Sequence, residues 1–103
     1  MSRFSLERNG AKVKLAIGAE LTVACVSELR ELLCAIQDDG VLELVLDFSK
    51  TMLLDTAGLS LLLAARNGFS QEGRRLKLAG VQPPVFSLLE TLHLEKRLNA
   101  EMG

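Results

Sequence analysis

The sequence has one histidine and two cysteines in 103 residues. No serine or cysteine can be placed beside His93 together with an orienting acid, so a hydrolase triad is not indicated. Two cysteines and one distant histidine do not make the tetrahedral ligand set of a zinc site. The glycines form neither G-x-x-x-x-G-K-[ST] nor G-x-G-x-x-G after a strand, which excludes the usual phosphate-binding loops. We therefore expect no catalysis, no metal and no cofactor.

The sequence also lacks an excess of one charge and any long apolar run. Twelve basic residues oppose thirteen acidic ones, leaving a net charge of -1. Without a strong field to attract a polyanion, we expect no nucleic-acid partner. The longest apolar runs, such as 59–65 with only Ser60 polar, fall far short of the roughly 20 residues that cross a bilayer. Charges in residues 1–8 do not suit a signal peptide. The expectation is a cytoplasmic protein without membrane insertion.

Periodicity and turn residues predict seven elements in one domain over residues 1–103, with a core of about 4–98. They are a hairpin over 4–17 that turns at Asn9-Gly10, a helix over 22–38, a strand over 41–48, a helix over 56–72, a strand over 76–81 and a helix from Pro83. The order β-β-α-β-α-β-α predicts an α/β fold, a mixed four- to five-stranded sheet with helices packed on it.

Finer expectations concern the packing of these elements. Thr22 is the candidate N-cap of the first helix, and the strand over 41–48 is apolar enough to lie in the middle of the sheet, covered on both faces or nearly so. Cys25 and Cys34 would lie on opposite faces of the first helix, too far apart to form a disulfide, as buried or half-buried thiols.

Each predicted helix has a stripe of residues that share one face. The stripes are Val26, Leu29, Leu33 and Ile36 in the first helix, Leu59, Leu62, Leu63 and Arg66 in the second, and Val85, Leu88, Leu89 and Leu92 in the third. Leu94 and Leu98 are expected to pack a last turn against the core.

The most informative segment is 46–63, Leu-Asp-Phe-Ser-Lys-Thr-Met-Leu-Leu-Asp-Thr-Ala-Gly-Leu-Ser-Leu-Leu-Leu, a strand, a loop and a helix start. Its block Asp55-Thr56-Ala57-Gly58-Leu59 resembles the signature of the STAS family, the anti-sigma factor antagonists. The resemblance covers about residues 4–98. It implies that a partner that is both kinase and anti-sigma factor phosphorylates Thr56. Sporulation-type members usually have serine there, whereas stressosome members also use threonine.

The chemistry of a helix N-terminus is compatible with a switch at Thr56. Its unsatisfied N–H groups and partial positive charge tolerate a phosphate without unfolding the helix. The phosphate adds about 1.5 to 2 negative charges beside Asp55, so a partner packed against Thr56 would be released. The expected partner-binding residues are Leu54, Asp55, Thr56, Ala57, Gly58 and Leu59. The alternative is that Asp55 or Thr56 only caps the helix.

Two neighbouring features leave alternatives open. A glycine in a first helical turn usually marks the close approach of another group. For Gly58 that group is either a partner or a neighbouring strand. The loop residues Met52, Leu53 and Leu54 are apolar where loops are usually polar. We expect two of them to point into the core. The third either joins a partner-facing patch with Leu59 or Leu61 or belongs to the core as well.

Two other functions compete with sigma-factor control. Some short STAS proteins with a similar Asp-Thr-Gly/Ala-Gly-Leu-x-Leu-Leu-Leu run are cytoplasmic subunits of phospholipid-transport ABC complexes, in which the same helix end would bind an ATPase subunit. A STAS homodimer or stressosome-like scaffold is the other. Sigma-factor control and the scaffold require a kinase, whereas the transport function does not.

Overall fold

The computed structural model describes residues 4–103 and contains a mixed β-sheet with helices packed against it. The strands are β1 (Ser5–Asn9), β2 (Lys12–Ala16), β3 (Glu20–Leu21), β4 (Glu43–Asp47), β5 (Leu53–Leu54), β6 (Arg75–Val81) and β7 (Ala100–Met102). The helices are α1 (Val26–Asp38), α2 (Thr56–Gln71) and α3 (Pro83–Thr91). The predicted α/β class and the order of the longer elements are confirmed.

The main sheet has five strands in the order β1-β2-β4-β6-β7. The β1–β2 hairpin is antiparallel and turns at Gly10, whose φ of +63° suits a glycine. All other pairings in this sheet are parallel, with helices in the crossovers between β2, β4 and β6. The middle position predicted for the strand over 41–48 is confirmed, because β4 lies between β2 and β6.

The core lies between the sheet and the helices. Alternate residues of β2, β4 and β6 are at most 3% exposed: Val13, Leu15, Leu44, Leu46, Leu76 and Leu78. The predicted stripe of α1 is buried against them: Val26, Leu29, Leu33 and Ile36. Burial of each such side chain contributes about 1.5–3 kcal/mol. On the opposite face of β4, Glu43 and Asp47 are half-buried and Val45 is only 5% exposed, so the expectation that this strand is covered on both faces or nearly so is confirmed.

The start of α1 differs from the prediction. The helix begins at Val26, its N-cap is Cys25, and no side chain caps it. Thr22 is therefore not the N-cap; it starts a turn in which the Cys25 N–H donates to the Thr22 carbonyl at 3.0 Å. Cys25 is buried at this turn, whereas Cys34 is exposed, so the expectation that both thiols are at least half-buried is wrong for Cys34. Both cysteines are free, as expected.

The faces of α2 and α3 also differ from the predicted stripes. In α2 the buried residues are Gly58, Leu61, Leu62 and Phe69, whereas Leu59, Leu63 and Arg66 are half-buried. The buried face is thus rotated towards Leu61 by about one residue position, which is roughly 100° about the helix axis. In the stripe predicted for α3, the side chain of Leu92 is 45% exposed, because α3 ends at Thr91 and Leu92 is its C-cap. Leu98 is fully buried, as expected.

Candidate functional site

The candidate site lies where the chain passes from β4 through a loop and β5 into α2. The loop is fixed by Thr51, whose side chain is completely buried and whose hydroxyl donates to the Gly18 carbonyl at 2.8 Å. The Met52 N–H then donates to the Ala19 carbonyl at 2.9 Å, and β5 pairs with β3 in parallel. This small second sheet positions the start of α2.

Asp55 is the N-cap of α2, as the sequence indicated. Its backbone is extended, with φ −100° and ψ −180°, and its Oδ1 accepts the Gly58 N–H at 2.8 Å. Its Oδ2 accepts the Val23 N–H at 2.9 Å. These donors, Gly58 first and Val23 second, hold the pKa of the Asp55 carboxyl below its ordinary value despite the opposing effect of burial. The carboxylate is therefore ionised at neutral pH.

Thr56 is the first residue of α2 and is exposed to solvent. Within residues 4–103 its hydroxyl makes no hydrogen bond with a protein group. The capping is done by Asp55, so the hydroxyl of Thr56 is not needed to satisfy the helix N-terminus. The arrangement leaves one accessible hydroxyl at the positive end of a helix.

Gly58 approaches a neighbouring strand closely. A Cβ built on Gly58 would lie 2.5 Å from the carbonyl oxygen of Leu21, 2.9 Å from Leu21 Cγ and 3.0 Å from Leu54 Cδ1. Leu21 belongs to β3 and is fully buried. Of the two explanations for this glycine, the close approach of a strand is the one that the geometry supports.

The six expected partner-binding residues differ in their accessibility. Thr56 is exposed, and Asp55, Ala57 and Leu59 are half-buried. Leu54 is only 7% exposed, and Gly58 is buried. The side chain of Leu54 therefore belongs to the core, and a partner could contact it only if the surrounding residues moved.

Three exposed apolar residues lie near the start of α2. Met52 and Leu53 are 55% and 53% exposed, so the expectation that two of residues 52–54 point inward is wrong, and only Leu54 does. Val23 is 74% exposed and its N–H binds Asp55, which brings it to the same place. We call Val23, Met52 and Leu53 the apolar patch. Val23 was missed because its segment was assigned to a helix, although the β-branched pair Thr22-Val23 is a weak helix former.

Among residues 4–103, no group of three or more His, Cys, Asp or Glu side chains could hold a metal ion. No helix within that range is both long and apolar enough to cross a membrane.

Comparisons with known proteins were made for the sequence and for the structure. The chain is 26% identical over 90 residues to an anti-sigma-B factor antagonist of Staphylococcus aureus strain NCTC 8325. The alignment covers 87% of this chain and 83% of that protein. It resembles the anti-sigma factor antagonist SpoIIAA in its unphosphorylated form, with a TM-score of 0.83, 20% identity and coverage of 97% and 87%. It also resembles the phosphorylated form of the Bacillus protein SpoIIAA, with a TM-score of 0.77, 20% identity and coverage of 97% and 90%.

These structural likenesses support the fold described above. A family model described as "Mlab, STAS domain" matches residues 4–100. Since this match spans the sheet, the helices and the Asp55-Thr56 site, the chain belongs to the STAS domain family.

Proposed function

We propose that this protein is a cytoplasmic, non-enzymatic anti-sigma factor antagonist that binds an anti-sigma factor kinase through the start of α2, and that phosphorylation of Thr56 releases the partner. One observation carries the proposal. The exposed hydroxyl of Thr56 stands beside an exposed apolar patch, on a helix end whose capping is already complete. The proposal has a docking half and a switching half, which rest on different features.

The docking half rests on the apolar patch. Val23, Met52 and Leu53 are each more than half exposed, although each could be buried by a partner. The central part of a protein interface is apolar and poor in charge, surrounded by a polar rim. The polar groups bordering this patch fit that rim: Glu20 pairs with Leu53 across the β3–β5 ladder, and Asp55 lies next to Thr56. The patch therefore suits a protein partner.

The switching half rests on charge. Asp55 is held ionised by its two backbone donors. A phosphate on Thr56 would add about 1.5 to 2 negative charges next to this carboxylate. A partner that covered the patch would have to desolvate both groups, and burying a charge without a matching partner costs several kcal/mol. Docking and phosphorylation are thus expected to exclude each other.

The fold itself should survive the modification. Thr56 is exposed and its hydroxyl has no protein partner within residues 4–103, so esterifying it breaks no internal hydrogen bond. The positive end of α2 also favours an added anion. Phosphorylation would then change the surface that a partner meets and leave the sheet and helices in place.

The relatives support the same class of function. The curated Staphylococcus aureus relative is named an anti-sigma-B factor antagonist, and a structural neighbour is described in a phosphorylated form. The transport function would use the same surface with an ABC ATPase as partner, and it does not need the hydroxyl of Thr56.

A kinase assay with a pull-down separates these functions. The protein is incubated with ATP and each candidate anti-sigma factor kinase from its own genome, and phosphate is mapped by mass spectrometry. Phosphate on Thr56, absent from Thr56→Val, together with recovery of the kinase by the unmodified protein, is the expected result. Failure of every kinase to modify Thr56, with recovery of an ABC ATPase instead, would replace sigma-factor control by the transport function.

A further inference from the structure

One carboxylate connects two segments that are far apart in sequence. A capping aspartate needs only one oxygen to satisfy a backbone N–H of the first helical turn. In Asp55 the Oδ1 atom does this for Gly58, and the Oδ2 atom accepts the Val23 N–H at 2.9 Å. Asp55 and Val23 are 32 residues apart. The second oxygen therefore ties the start of α2 to the turn before α1.

The turn before α1 has mainly short-range contacts of its own. The Cys25 N–H donates to the Thr22 carbonyl at 3.0 Å, and the Thr22 N–H donates to Cys25 Sγ at 3.4 Å. No side chain caps α1, and both Val23 and Ala24 are exposed. These contacts shape the turn. The backbone also joins the preceding strand to α2, since the Asp55 N–H donates to the Leu21 carbonyl at 3.2 Å. The hydrogen bond from the Val23 N–H to the Asp55 carboxylate extends this attachment to the exposed part of the turn.

We propose that Asp55 is a positioning residue that holds Val23 against the start of α2, so that the apolar patch and Thr56 form one preassembled docking surface. This inference rests on the proposed function, because it concerns how the same surface binds its partner. A surface that is ordered before binding avoids the entropic cost of ordering it in the complex. Loss of the connection should then weaken docking without unfolding the protein.

Two substitutions break the connection and keep the cap. Asn and Ser are both good N-cap residues. In Asp55→Asn the side chain has one acceptor oxygen and one NH₂ group, so it cannot accept from Gly58 and Val23 together. Asp55→Ser has a single, shorter side-chain oxygen that reaches the first turn of α2 only. Asp38→Asn is the control, since it removes one negative charge at the last residue of α1, at the opposite end of that helix.

The first measurement needs no partner. Amide hydrogen exchange is followed by NMR in the wild-type protein and the three variants. Exchange at Val23 should become at least about tenfold faster in Asp55→Asn or Asp55→Ser, because a hydrogen bond to a charged group is lost. Exchange at Leu33, in the middle of α1, should not change. Unchanged exchange at Val23 in both Asp55 variants would overturn the positioning role.

The second measurement is the affinity for the anti-sigma factor kinase, at low and high salt. Each Asp55 variant should bind about tenfold more weakly than wild type, and the loss should persist at high salt. A loss that disappears at high salt would mean that Asp55 contacts the partner directly, because salt screens exposed charge pairs. That result, or normal affinity despite fast exchange at Val23, would overturn the inference. If wild type binds no anti-sigma factor, the proposed function fails and the docking role of Asp55 fails with it. Exchange at Val23 that stays slow in both Asp55 variants refutes the positioning role alone.

Discussion

Substituting the two glycines of α2 tests the packing that positions the site. A Cβ at Gly58 would lie 2.5 Å from the backbone carbonyl oxygen of Leu21, which cannot rotate away as a side chain could. A Cβ at Gly68 would meet only the end of the Gln37 side chain, at 3.4 Å from Nε2, which is an ordinary van der Waals contact. The same chemical change in the same helix should therefore have opposite effects.

The expected magnitudes follow from these contacts. Alanine in place of a helical glycine stabilises by about 0.5–1 kcal/mol where space allows, so Gly68→Ala should be more stable than wild type by that amount. At Gly58 the added Cβ would meet a backbone atom, so overpacking should cost about 2–3 kcal/mol, the upper part of the usual range, against a helix gain of roughly 1 kcal/mol. We expect Gly58→Ala to lose about 1–2 kcal/mol, or about 4–16 °C in melting temperature.

Urea denaturation followed by circular dichroism measures both free energies of unfolding on matched samples. The m-value should stay the same in the two variants, since the surface exposed on unfolding does not change. A Gly58→Ala protein at least as stable as Gly68→Ala would refute the reasoning, because β3 would then not constrain the start of α2.

Three further predictions concern docking and the capping carboxylate. Thr56→Glu should abolish partner binding in a pull-down with little change in melting temperature, whereas Ser70→Glu, about 21 Å further along α2, should bind normally; equal binding by both would count against the switch. Leu53→Asp should weaken binding, measured by calorimetry, by about tenfold or more. Leu42→Asp, an equally exposed leucine before β4, should not, and similar losses from the two would remove the apolar patch from the interface. Because the folded-state pKa of Asp55 is lowered, the stability advantage of wild type over Asp55→Asn should be complete above about pH 4 and be lost as the pH falls through the folded-state pKa; urea titrations that find the same gap from pH 7 to the acid limit would contradict this.

The longer elements of the fold could be predicted because local patterns determine them. The turn at Asn9-Gly10 and the stripe of α1 both follow from residues close together in the chain, and both are confirmed. The strands β3 and β5 have two residues each and pair across 33 positions, so neither has a periodicity of its own. The strand β7 is also too short to show a periodicity: it has three residues, of which Ala100 and Met102 pair with β6.

Errors at the site come from this same long-range pairing. Leu53 points outward and Leu54 inward because β5 lies beside β3, and this alternation cannot be deduced from three consecutive apolar residues. Thr22 has a capping side chain, but the chain there forms β3 and a turn before α1 begins at Val26. The motif at Asp55 and Thr56 could be found from the sequence alone because its cap is local, whereas the contact to Val23 could not.

The central claim is tested most directly by comparing the partner affinity of the unmodified protein with that of the protein stoichiometrically phosphorylated on Thr56. Isothermal titration calorimetry against the anti-sigma factor kinase gives both values. We expect the unmodified form to bind and the phosphorylated form to bind at least about 100-fold more weakly, because docking would bury an unpaired charge. Equal affinities, or tighter binding of the phosphorylated form, would contradict the account.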